Sequence, residues 1–173
     1  MSRWGVVGLM LFLTGCVSPL PKSLQMEPAE NPSLKAVLAQ TDHYVGSIVR
    51  WGGTVASIEN GEKETLLEVV ERPLAESARP WRSDRTHGRF LVRVTGFLDP
   101  DIYAKGRAVT IKGVVDGERE GEVGEHPYRY VLLHSQALHL WSKQPQRVRS
   151  DVQIYVDPFY FYRPYFRRHI YWH

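Results

Sequence analysis

From residue 44 to residue 141 apolar positions recur at every second residue, in runs broken by glycine, proline and charged clusters. That period belongs to strands with one buried face. The segment 44–58 is β-rich, with Val45, Val49 and Trp51 on one face, and Gly52-Gly53 marks a bend or bulge in it. Asn60-Gly61 signals a hairpin, and 65–70 is its return strand. A polar loop holding Pro73 and Pro80 spans 71–88. Residues 89–97 alternate cleanly, Phe90, Val92 and Val94 against Arg93 and Thr95. Asp99 and Pro100 can open a short helix that Gly106 closes. Residues 107–115 form the next strand, Asp116-Gly117 turns it, and a charged ribbon covers 118–125. The last strand, 128–141, is apolar on both sides in places, as a central strand is. Upstream, Leu34, Val37 and Leu38 have helical spacing behind Asn31-Pro32, read as cap and first turn. The expected fold is mainly β: a small five-stranded OB-like barrel with a short N-terminal helix and one short helix between strands three and four. Other small barrels and sandwiches share this strand count.

A different pattern precedes the barrel. Met1 and Arg3 give a positive start, and 4–13 is uncharged and largely apolar. Then come Leu13, Thr14, Gly15 and Cys16, the only cysteine. Ten helical residues reach about 15 Å, half a bilayer core, so the run does not span. It reads as an export signal ending in what resembles a bacterial lipobox. Leu13 fills an apolar subsite, Thr14 and Gly15 are small enough to flank the cleaved bond, and the Cys16 thiol is the nucleophile that accepts lipid. Residues 1–15 are then removed. Three acyl chains at about 0.8 kcal/mol per buried CH₂ make a practically permanent anchor. Val17, rather than Asp, follows the cysteine; by resemblance to bacterial lipoproteins, this directs the chain to the outer membrane. Pro19, Pro21, Pro28 and Pro32 mark 16–32 as an extended linker. At about 3.1 Å per residue, it would hold the barrel some 40–50 Å from the lipid. The expected organisation is signal 1–15, lipidated linker 16–32, β-domain 33–142 and tail 143–173.

Charge changes the picture only at the C-terminus. The chain carries a net +3, and 147–173 holds five arginines against Asp151 and Asp157, so the body is close to balanced. A nucleic-acid-binding body is not indicated. Nine aromatics fall in 151–173, interleaved with arginines. Tyr160, Tyr162, Arg163, Tyr165, Phe166, Arg167, Arg168 and Trp172 are the residue types that suit a headgroup layer or a protein surface. Packing of this tail on its own barrel is the plainer alternative.

Candidate chemistry is sparse. His134 and His139, five apart in one strand, should face opposite ways and cannot share a metal without a bulge. His169 and His173 lack a third ligand nearby. There is no Gly-x-Ser-x-Gly elbow and no glycine-rich phosphate loop before a helix. Arg50, Trp51 and Arg93 could form a cation–aromatic surface, or Trp51 could simply pack in the core. His126, Tyr128 and Tyr130, in the distinctive run 124–130, could form a binding rim, or a charged turn followed by core tyrosines.

Several longer stretches carry a resemblance. They are Tyr44-Val45-Gly46, Val49-Arg50-Trp51-Gly52-Gly53, the run 65–74 ending Glu71-Arg72-Pro73-Leu74, Gly88-Arg89-Phe90-Leu91, and Gly96-Phe97-Leu98-Asp99-Pro100. Tyr103-Ala104-Lys105-Gly106-Arg107, Gly124-Glu125-His126-Pro127-Tyr128-Arg129-Tyr130 and His139-Leu140-Trp141 extend it. Together with the lipobox they resemble the Slp family, outer-membrane lipoproteins of Gram-negative bacteria linked to starvation and stationary phase. The resemblance covers 33–142 and implies lipidation and an outer-membrane address; it brings no catalytic residue and no cofactor. The expected protein is a non-enzymatic, lipid-anchored lipoprotein facing the periplasm, acting in envelope maintenance or stress through binding. The alternative is a periplasmic module for a small ligand or glycan such as peptidoglycan. Expected partners are membrane lipid, an envelope protein or peptidoglycan, and not nucleic acid.

Overall fold

Strand β1 (Ile48–Asn60) shapes the molecule, because it belongs to two sheets at once. Its first half pairs with β4 (Ala108–Val123) and its second half with β2 (Glu64–Glu71). The exchange occurs at Gly52 and Gly53, as the glycine pair suggested. A Cβ on Gly53 would collide with the Val70 carbonyl oxygen, so only glycine lets the backbones close there. With β3 (Arg89–Thr95) and β5 (His126–Leu140) the strands close in the order β1-β2-β3-β5-β4. Every pairing is antiparallel except β3 with β5. This is a closed OB-type barrel, mainly β as expected. The computed structural model describes residues 20–143.

The inward faces are the predicted ones except at Val45, which precedes β1 and is exposed. Val49, Trp51, Leu67, Val69, Phe90, Val92, Val109, Ile111 and Val115 are buried together, with Val131 and Leu133 from β5. Trp51 meets Phe90 edge to face at 5.4 Å between ring centroids. Helix α2 (Leu34–Ala39) adds Leu34 and Val37 to the same core, each worth about 1.5–3 kcal/mol on burial.

Several local expectations need correction. Ser33, not Asn31, caps α2, its hydroxyl accepting the Ala36 N–H at 3.2 Å. Asp116-Gly117 does not turn the chain; it is a bulge inside β4, which runs on through the charged ribbon to Val123. A glycine with positive φ serves a bulge as well as a turn, and Gly117 has φ +120°. The hairpin turn is Gly124-Glu125, between the paired Val123 and His126. The expected helix after β3 is a single hydrogen-bonded turn in which Tyr103 N–H donates to the Asp99 carbonyl at 2.9 Å. A second helix, α3 (Thr41–Tyr44), follows α2.

The linker is the largest departure. Its second part is not an extended spacer. Helix α1 (Lys22–Gln25) lies on the barrel wall, and Leu20 and Leu24 are buried against Ala78 and Trp141. The physical reason lies in β1. Where β2 has left it, the peptide edge of Arg50 needs a partner. The Asn31 side-chain amide supplies one, accepting from Arg50 N–H at 2.8 Å and donating to its carbonyl at 3.2 Å. The Trp51 indole then donates to the Pro32 carbonyl at 2.8 Å. Residues 20–33 thus form a strap along the barrel. Among the described residues, no helix is long and apolar enough to cross a membrane.

Candidate functional site

The strap, the middle of β1 and the loop 71–87 enclose an open cleft of about 620 Å³. Arg50 forms its floor and is 8% exposed. One guanidinium nitrogen donates to the carbonyls of Leu24 and Gln25, both at 3.1 Å, and the other meets Glu27 at 3.1 Å. Its Nε is buried with no partner among the described residues. Across the cleft Glu71 is equally buried. Its carboxylate accepts the His87 N–H at 2.8 Å and lies 3.4 Å from the His87 ring. Arg72 holds the loop closed by donating to the Arg85 carbonyl at 3.2 Å. Leu74 and Pro80 form a small bridge over Gly52. A Cβ on Gly52 would lie 2.6 Å from Leu74, so this glycine admits the cleft wall.

The structure separates the predicted site residues. Arg50, Trp51 and Arg93 do not form one surface. Trp51 points into the core at 5% exposure and Arg50 sits beneath the strap, because neighbours on a strand face opposite ways. Arg93 lies across the barrel on β3, paired with Glu64 at 3.2 Å and Asp116 at 2.6 Å. Tyr128 and Tyr130 do share a face, with ring centroids 4.7 Å apart, but not as an open binding rim. Tyr130 is buried with Leu91 and Leu132 on the outside of the sheet. Its hydroxyl lies 3.1 Å from both the Glu68 carboxylate and the Glu122 carbonyl, which share its one proton as acceptors. Burial, together with the charge and hydrogen bond of Glu68, pushes the phenol up to about 12. Tyr128 accepts the Arg89 N–H at 2.9 Å, and His126 stays exposed on the hairpin. Leu13, Thr14, Gly15 and Cys16 lie outside the described residues. So do Tyr160, Tyr162, Arg163, Tyr165, Phe166, Arg167, Arg168 and Trp172.

A bulge overturns the opposed placement of His134 and His139. Ser135 pairs with Gly113 and Ala137 with Lys112, leaving Gln136 as an extra residue. The alternation therefore changes phase: Val131 and Leu133 face the core before it, Leu138 and Leu140 after it. Both histidines consequently sit on the outer side, with His139 against Trp141 at 4.6 Å. They are still too far along the strand to share an ion, and no metal-holding group of side chains occurs among the described residues.

The sequence reading missed Glu71, His87 and Glu68. Glu68 is the hub of the outer sheet face: Arg89 and Ser57 donate to it at 2.8 Å, besides Tyr130. Glu71 had one signal, a carboxylate continuing the inward alternation of Thr65, Leu67 and Val69; Glu68 lies on the outward phase of β2 and His87 in a loop, and neither carried one.

The model of the Outer membrane lipoprotein Slp family matches residues 13–172. Outer membrane protein Slp of Escherichia coli is 34% identical over 143 residues, covering 82% of this chain and 76% of that protein. The lipoprotein YeaY of the same organism is 31% identical over 152 residues, covering 87% of this chain and 77% of its own. Among solved structures, the mitochondrial single-stranded DNA binding protein Rim1 of S. cerevisiae overlays 57% of this chain and 98% of its own. That overlay has 16% identity and a TM-score of 0.36, a likeness too slight to bear on ligand. A small single-stranded DNA-binding protein from Streptomyces coelicolor overlays at 13% identity and the same TM-score, over 56% and 94% of the two chains. The chain belongs to the Slp family of outer membrane lipoproteins.

Proposed function

We propose that the protein is a non-enzymatic binding module, anchored by lipid at Cys16 with its barrel in the periplasm, and acts in envelope maintenance or the response to starvation stress. The observation that carries this reading is the state of the charged groups around the cleft. Arg50 is committed to the strap, Glu71 to His87 and Arg72 to the loop. The cleft thus presents shape and fixed polar groups of both signs, with no paired nucleophile and base. A ligand bearing both an amine and a carboxylate fits such walls, as a peptide segment of an envelope protein does. Peptidoglycan stem peptides have the same chemistry and are the second reading, favoured by a cleft of about 620 Å³. Leaving nucleic acid out of this proposal is supported on the outer face of β2 and β3, where Arg89 and Arg93 are each matched by a carboxylate.

The test is affinity capture from detergent-solubilised envelopes, followed by titration of the captured ligand with fluorescently labelled full-length lipoprotein. Arg72→Ala and Glu76→Ala should each weaken binding at least about fivefold, roughly 1 kcal/mol. A protein ligand supports the first reading and muropeptides the second. Binding that ignores both substitutions would remove the cleft from the proposal, and turnover of any captured ligand would overturn the non-enzymatic assignment.

A further inference from the structure

We infer that the barrel wall built from α1, the loop 74–82 and Trp141 lies against the phospholipid headgroups, so that the domain sits directly on the membrane in one orientation. The inference rests on the lipid anchor at Cys16 and adds what the anchor alone leaves open, namely which face meets the bilayer. The first argument is reach. Leu20 is buried on the wall at 5% exposure, and only four peptide steps separate it from Cys16. Four extended residues span at most about 14 Å. The strap has absorbed the rest of the proline-rich segment through Leu24, the Arg50 guanidinium and Asn31. A tether this short cannot lift the wall clear of the headgroup layer.

The second argument is what the wall displays. Met26 is 76% exposed and Trp81 is 59% exposed. Each lies within three residues of a member of the small cluster Leu20, Leu24, Ala78 and Trp141. A flexible thioether and an indole beside the anchor point are residue types that enter a headgroup layer. Lys22, Arg79, Arg82 and Lys143 lie within four residues of Met26, Trp81 or Trp141, against Glu30, Glu76 and Asp84, while Glu27 is already matched by Arg50. Arg79 stacks on Trp141 at 5.1 Å and donates to the Ser142 carbonyl at 2.8 Å, which keeps a cation at this edge. The wall therefore carries excess positive charge toward anionic phospholipid.

The experiment uses the full-length lipidated protein in phosphatidylglycerol-containing vesicles. Acylation consumes the only native thiol, so Met26→Cys, Trp81→Cys and Glu125→Cys each offer one site for a fluorophore. Glu125 lies on the far hairpin, up to about 45 Å along β5 from its other end. Headgroup-spin-labelled lipid should quench the probes at 26 and 81 at least about threefold more than the probe at 125. Equal quenching at all three sites, or more at 125, on protein that floats with the vesicles would overturn the orientation while leaving the anchor intact. Failure to float would remove the anchor, and the orientation with it. Lys22→Gln combined with Arg82→Gln should reduce the contrast about twofold; an unchanged contrast would overturn the assignment to anionic lipid.

Discussion

Arg50 shows how one side chain ties distant segments together. It is charged, almost fully buried, and bound to carbonyls more than twenty residues earlier in the chain. Removing it strands the carbonyls of Leu24 and Gln25, while Glu27 keeps the Asn31 amide and solvent. Arg50→Ala should therefore cost about 2–4 kcal/mol, measured by urea denaturation. Gly88 is constrained in another way. Its φ is +126°, and an added Cβ would sit 2.5 Å from the Tyr128 hydroxyl. Gly88→Ala should cost about 2–3 kcal/mol, and Tyr128→Phe in the same chain should recover only the steric part. Among the described residues, two titrating groups contribute to the acid side of stability. Burial raises the Glu68 pKa, but hydrogen bonds from Arg89, Ser57 and Tyr130 outweigh it and hold the carboxyl below its ordinary 4.5. Its stabilisation is whole above about pH 4.5 and is lost as pH falls through the lower folded value. Burial, and then the Arg79 charge, hold His139 below 6.5. The unfolded chain takes up that proton first, so stability also declines as pH falls from 6.5 through the folded value. Glu68→Gln should flatten the lower limb of a stability–pH curve and His139→Gln the upper one.

At the scale of elements, the strap and the barrel differ in how they are held. Barrel strands share continuous ladders and one core. The strap rests on a few contacts: two buried leucines, the Arg50 guanidinium, the Asn31 amide and the Trp51 indole bond. It should open as a unit below the global unfolding free energy. Native-state hydrogen exchange should show residues 20–33 exchanging together and faster than β1. In Arg50→Ala, exchange in the strap should rise more than in β2 or β3. Uniform acceleration across the barrel would mean that strap and barrel are one cooperative unit.

For the whole molecule, closure of the barrel concentrates stability in one core, with Trp51 and Phe90 at its centre. Trp51→Ala should cost about 3–5 kcal/mol and lower the thermal midpoint, as truncation of a buried aromatic does. The same closure explains the charge distribution. Paired carboxylates neutralise the arginines on the β2–β3 face, which leaves the inferred membrane-facing wall as the place where unmatched cations count. The orientation inferred above is therefore a property of the entire fold rather than of any one segment.

Much of this was legible in the chain. Period-two alternation determined the five strands and their inward faces, since it reflects only local geometry and the burial of one side. The glycine pair determined where β1 exchanges partners, because no other residue allows such close backbones. What the tertiary structure decided depends on partners distant in sequence. The linker looked like a spacer until β1 supplied it with an edge to complete. Asp116-Gly117 read as a turn because a bulge uses the same positive φ. Gln136 carries no local sign of the bulge that turns both histidines outward. Arg50 and Trp51 could be singled out in the sequence, yet Glu71, Arg72 and His87 join the cleft only because a loop folds back over Gly52. Local periodicity is written residue by residue, whereas the cleft and the membrane-facing wall exist only once the barrel has closed and the strap has found it.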